Sequence, residues 1–275
     1  MIFDATQCQL GEGPLWHPAR NELFWFDILE KQLRTRDRHW QFDEFVSAAG
    51  WVDEDTLLIA TASALRRFSI STGVSEPVCP LEADNPLTRS NDGRADPRGG
   101  FWIGTMGIGA QDGAGAIYRY YQGTLRRIFA PITISNAICF APDGNTAFFA
   151  DTPTQMIMRV ALDEDGWPDG DPELHIDLRD TDFRPDGAVV DAAGNLWNAQ
   201  WGVGRVAVYN PAGKPVESFS FAAAQTSCPA FGGADLTTLY CTSAAIGLDG
   251  PEEGKTFTTP TGYTGQAEYR VILSP

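Results

Sequence analysis

Short apolar runs are broken again and again by polar turns of three to five residues, and an aromatic-rich run follows most turns. In the first instance Pro14-Leu15-Trp16 runs into the turn 17–21, and Leu23-Phe24-Trp25-Phe26 comes next. The same order recurs around turns 53–55, 96–100, 141–144, 191–194 and 232–235. The runs that follow these turns include Leu57-Leu58-Ile59-Ala60, Phe101-Trp102-Ile103-Gly104, Ala147-Phe148-Phe149-Ala150, Leu196-Trp197-Asn198-Ala199 and Leu239-Tyr240-Cys241-Thr242. Apolar residues flanking a compact Asp/Gly/Pro turn are the mark of a β-hairpin, and sustained helical periodicity is hard to find.

The six hairpins recur every roughly 36 to 50 residues, the spacing of propeller blades. A third alternating run follows several of them, such as Arg205-Val206-Ala207-Val208-Tyr209, and then a turn and an outer run, Val216-Glu217-Ser218-Phe219. The pattern predicts an all-β, six-bladed β-propeller with four-stranded antiparallel blades, occupying residues 1–275 as a single domain. The segment 1–9 is expected to supply the outer strand of the last blade and so clasp the ring.

Composition sharpens this picture by exclusion. The formal charge of −16 is set against a phosphate backbone or an anionic membrane surface, so neither nucleic acid nor membrane is an expected partner. No run is long and apolar enough to span a bilayer, and the segment 1–4 lacks the basic region of a leader. The five cysteines are odd in number and lack C-x-x-C spacing, which supports neither a disulfide framework nor a zinc ribbon. A cytoplasmic protein, monomeric or weakly self-associating, is the expectation.

Candidate chemistry emerges from the phase of the repeat. In a propeller the first strand of each blade lines the central channel. About five positions before each turn stand Glu12, Ala48, Asn91, Asn136, Asp186 and Cys228. Four of these six are oxygen-bearing, and they would meet at one mouth of the channel. Carboxylates and amide carbonyls suit a hard or borderline divalent cation, which would also relieve repulsion between the carboxylates. The alternative is that they cap strand ends at the rim. The second strands end near the same mouth, bringing Asp27, Thr105, Met106, Asp151, Gln200 and Trp201. Trp201 could stack on a ligand ring, and Asp151 could brace a turn.

Leu10-Gly11-Glu12-Gly13-Pro14-Leu15-Trp16, Arg89-Ser90-Asn91-Asp92-Gly93, Trp102-Ile103-Gly104-Thr105-Met106, Ile134-Ser135-Asn136-Ala137 and Pro185-Asp186-Gly187 together resemble the signatures of the SMP-30/gluconolactonase/regucalcin family. The resemblance implies one divalent cation (calcium, zinc, manganese or ferrous iron) held by Glu12, Asn136 and Asp186. It implies a small sugar lactone as substrate, contacted by Arg89 and Asn91, with Thr105 and Trp201 as further candidate contacts. It implies hydrolysis of an aldonolactone to the sugar acid, with Asp186 as general base. It leaves open a non-catalytic, regucalcin-like metal binder and an esterase or lactonase for non-sugar substrates. Family members often carry a Glu shortly after the Gly-Thr-Met element. This chain has Gln111 and Asp112 in that stretch, so either is a candidate substitute.

Other signals carry less. His17, His39 and His175 have no zinc-like spacing, and no G-x-S-x-G element is present. The acidic run 163–171 places Trp167 and Ile176 where an EF-hand loop starting at Asp165 would need oxygen ligands.

Overall fold

The computed structural model describes residues 1–273, and its strands assemble into six four-stranded antiparallel sheets arranged as a six-bladed β-propeller. The inner strands of blades 1 to 6 are Gly11–His17, Val46–Trp51, Thr88–Ala95, Ser135–Phe140, Arg184–Val190 and Thr226–Gly232. Each pairs with the strand that follows the turn read from the sequence, Glu22–Asp27 in blade 1 and Leu196–Trp201 in blade 5, for example. The turns close as their composition requires. In blade 5, Asp191 Oδ1 accepts from the backbone N–H groups of Ala193 and Asn195, both at 2.9 Å, and its Oδ2 accepts from Trp197 Nε1 at 3.0 Å.

The ring closes as expected. Ile2–Asp4 pairs with Thr256–Pro260 as the outermost strand of blade 6. The Met1 amino group donates to Thr258 O at 2.7 Å.

The core is distributed around the ring. Six apolar clusters each fill the wedge between two neighbouring blades. Phe24 and Phe26 of blade 1, for instance, pack with Leu57, Ile59 and Phe68 of blade 2. A fully buried side chain of this size contributes about 1.5–3 kcal/mol, so the wedges hold the blades at fixed angles around the axis.

The segment 261–273, to which the sequence pattern assigned no role, runs across the mouth where the inner strands end. Gln266 Nε2 donates to Phe140 O (3.1 Å) and Val190 O (2.9 Å). Trp51 Nε1 donates to Glu268 O at 2.8 Å, and Glu268 pairs with Arg94. Val271 is fully buried against blades 2 and 3. This segment plugs one end of the channel, so the polar residues at the other end form the floor of a blind cavity.

Candidate active site

All six inner strands slip register by one residue at the level of the polar residues, in blade 2 between Val46 and Ala48. Glu12 pairs with Phe26 but Leu15 pairs with Phe24, and the same slip lies between Ser90 and Gly93, Asn136 and Cys139, Pro185 and Ala188, and Thr226 and Pro229. A bulge bends the strand and re-aims its side chains. Asn91 and Asp186 lie inside their bulges, whereas Glu12 and Asn136 immediately precede theirs. Gly13 takes a left-handed φ of 53° directly after Glu12. At Gly187, directly after Asp186, a Cβ would collide with the Cys228 side chain. The small residues flanking the polar ones let the inner strands converge.

Glu12, Arg89, Asn91, Asn136, Asp186 and Trp201 all line one cavity of about 400 Å³ at this mouth. Apart from Trp201, each is buried. Hydrogen bonds set the amide orientations. Asn136 Nδ2 donates to Thr152 Oγ1 (2.8 Å), and Thr152 Oγ1 donates to Pro185 O (2.7 Å). That leaves Asn136 Oδ1 as an acceptor, and it takes a long hydrogen bond from Asn91 Nδ2 (3.3 Å). Arg89 Nη1 donates to Ser90 O and to Asn91 Oδ1, both at 2.8 Å, and Asn91 Nδ2 donates to Ser135 O at 2.8 Å.

The electrostatics of the floor are strained by like charges. Burial, followed by the neighbouring Asp92, pushes the Glu12 carboxyl up to about 8. Burial and then Glu12 itself raise Asp186 well above the ordinary range. Asp92 accepts from Ile138 N at 2.7 Å, and burial raises it to about 6. Burial lowers Arg89 to about 10, opposed by Glu12 and Asp186. Glu12 and Asp186 lie within reach of a shared hydrogen bond. Two neighbouring buried carboxylates, with an amide oxygen lining the same cavity, are suited to a divalent cation. Among the described residues no three His, Cys, Asp or Glu side chains gather as a metal cluster, and the donors here are two carboxylates and one amide.

Thr105 is a correction to the sequence reading. It is fully buried inside blade 3 and does not line the cavity. Its hydroxyl donates to Glu82 Oε1 (2.9 Å) and accepts from Ala116 N (2.9 Å), because strand alternation turns it toward the third strand of its own blade. Gln111 and Asp112 also lie outside the lining; Gln111 Oε1 accepts from Gly109 N within its own exposed loop. Asp27 and Asp151 brace turns. Asp27 accepts from Gln9 N and Leu10 N, and Asp151 from Thr133 N and Ile134 N.

Two polar lining residues were missed, Thr152 and Arg184. Thr152 follows directly on the end of a second strand, a position that blade phase could have flagged. Arg184 stands two residues before Asp186, and no pattern distinguishes it.

Fold and site together define a β-propeller with a carboxylate-and-amide site on its axis. The sequence profile of the SMP-30/Gluconolactonase/LRE-like region matches residues 10–245. The chain belongs to this family. It is 35% identical to the L-arabinolactonase of Azospirillum brasilense, over 98% of this chain and 94% of that protein. It is 32% identical to the 6-deoxy-6-sulfogluconolactonase of Pseudomonas putida, over 94% of each. Its fold is similar to that of a calcium-binding protein, regucalcin, from Agrobacterium tumefaciens, with a TM-score of 0.96, 39% identity and coverage of 99% and 97% of the two chains.

Proposed function

We propose that this protein hydrolyses a small sugar lactone to its open-chain acid in the axial cavity. The observation that carries the reading is the meeting of Glu12, Asn136 and Asp186, from blades 1, 4 and 5, beside Arg89 and Asn91 on the floor of one blind cavity. Relatives named as lactonases over nearly the whole chain length support it.

Glu12, Asn136 and Asp186 would hold one divalent cation, which when bound supplies Lewis acidity toward the lactone carbonyl. Asp186 acts as general base, taking the proton of the attacking water on a carboxylate oxygen. Arg89 and Asn91 orient the ring; Arg89 lines the cavity and spends Nη1 on Ser90 and Asn91, so its other N–H groups would serve the substrate. The blind channel behind the floor limits the water that reaches the reacting carbonyl. Trp201 also lines the cavity and would stack on the sugar ring.

The kinship with a calcium-binding regucalcin favours one second reading, a non-catalytic calcium binder. Arg89 and a 400 Å³ cavity are unneeded for that role. A pH-indicator assay over a panel of aldono-1,4- and 1,5-lactones separates the two. The test uses chelated protein with each divalent ion restored in turn. The expected result is cation-dependent acid release. Cation uptake with no acid release from any lactone would leave the binder reading standing.

A further inference from the structure

A chain of hydrogen bonds crosses the floor from blade 3 to blade 5. Arg89 Nη1 donates to Asn91 Oδ1 at 2.8 Å, and Asn91 Nδ2 donates to Asn136 Oδ1 at 3.3 Å. Asn136 Nδ2 donates to Thr152 Oγ1 at 2.8 Å, and Thr152 Oγ1 donates to Pro185 O at 2.7 Å. All five residues are buried, so a polar group left without its partner here is costly.

The ends of the chain fix its direction. A guanidinium can only donate, and a peptide carbonyl can only accept. The Pro185 carbonyl takes the proton of the Thr152 hydroxyl, so the hydroxyl oxygen must accept from Asn136. Only Nδ2 of that amide can donate, which keeps Oδ1 on the other side of the side chain. There its one donor among the described residues is Asn91 Nδ2, at the longer distance of 3.3 Å. The Arg89 end therefore reaches Asn136 weakly, because Asn91 Nδ2 makes its shorter bond to Ser135 O at 2.8 Å. Thr152 holds the amide more tightly than Asn91 does.

Thr152 is itself held. It opens the short 3-10 turn Thr152–Thr154, its N–H donates to Ile134 O at 3.0 Å, and its carbonyl accepts from Gln155 N at 3.1 Å. The hydroxyl thus meets Asn136 from a fixed backbone. The Pro185 carbonyl that it binds belongs to the peptide leading into Asp186.

We infer that Thr152 is a positioning residue for the cation: its hydroxyl fixes which end of the Asn136 amide stays free to ligate. This rests on the cation reading of the same floor. Without the hydroxyl the amide loses the bond that tells its two ends apart. Half a turn about Cβ–Cγ then puts Nδ2, which has no lone pair to give a cation, where Oδ1 had been.

The test is titration calorimetry of chelated, folded protein with calcium, zinc and manganese, continued with the ion that wild type binds tightest. Thr152→Val is isosteric but lacks the hydroxyl, and it is expected to weaken that ion about tenfold, the scale of one buried hydrogen bond. Thr152→Ser keeps the hydroxyl and is expected to bind within about twofold of wild type. Asn136→Asp makes the two ends of the side chain equivalent, so in that background Thr152→Val should cost about twofold or less. If Thr152→Val does not fold, Thr152→Ala carries the same expectations. An equal loss in both backgrounds, no loss in either, or a loss that Thr152→Ser shares overturns this inference and leaves the cation reading intact. A wild-type chain that binds none of the three ions overturns both.

Discussion

At one mouth of the channel five polar side chains, two of them carboxylates that repel each other, stand under an open cavity of about 400 Å³. At the other, the segment 261–273 crosses blades 2 to 6 and leaves its polar groups paired: Gln266 to two strand-end carbonyls, Glu268 to Arg94, and Arg270 Nε to Val52 O at 2.6 Å. The same inner strands build both ends. At the plugged end most buried polar groups find partners within the chain and act as structure, Arg94 Nε and His17 Nδ1 being exceptions. At the open end buried charges lack such satisfaction, and such groups mark places where a ligand completes the balance. The contrast predicts that substitutions at the open mouth change chemistry with little loss of fold, and that substitutions at the plugged mouth do the reverse.

The largest effect is expected at Asp186. Asp186→Ala removes the proposed cation donor and general base together, and lactone turnover should fall by about a thousandfold or more while the circular dichroism spectrum is retained. Wild-type turnover would erase the distinction between the mouths. At the plugged end, Glu268→Ala leaves Arg94 buried without its partner. The expected cost is ~3 kcal/mol in chemical denaturation, with kcat at 25 °C within about twofold of wild type. A loss of kcat without a loss of stability would invert the comparison.

Cation binding should sharpen it further. Calcium or another bound divalent ion at about a hundred times its dissociation constant is expected to stabilise the protein by about 2.7 kcal/mol, read as a rise in Tm that Asn136→Ala abolishes. The effect should depend on pH in a definite direction. Glu12, raised from its ordinary 4.5 to about 8 by burial and Asp92, favours the cation-free fold below 4.5. That contribution is lost as pH rises through 8. Because the cation needs both carboxylates deprotonated, its stabilisation should grow from pH 5 to pH 8. The smallest effect is expected at Thr105→Val, which removes the hydroxyl shared by Glu82 and Ala116. A cost of about 1–2 kcal/mol in stability with KM unchanged is the outcome for a residue inside a blade. A severalfold rise in KM would return Thr105 to the cavity.

The blades were legible because their signals are local. An Asp/Gly turn between two apolar runs closes on itself, as Asp191 does with Ala193, Asn195 and Trp197. The phase of the repeat also located the residues that gather at the axis, even though bulges displace Glu12 and Asn136 by one position relative to Asn91 and Asp186. Thr105 was misplaced because the end of a second strand sends neighbouring side chains to opposite faces, and phase alone does not say which faces the cavity. The plug was illegible for another reason. The segment 261–273 has no alternation to betray it, and its partners lie up to 218 residues away, as in the Arg270–Val52 contact. Arg184 escaped because an exposed arginine at a rim looks like any other surface charge.

Counting divalent ions bound per chain after equilibrium dialysis tests most directly whether Glu12, Asn136 and Asp186 hold one cation between them. One ion per wild-type chain, and none in a Glu12→Gln, Asp186→Asn double variant that stays folded, is the predicted result. A wild-type chain that retains no divalent ion, or a double variant that retains one as tightly as wild type, would contradict it.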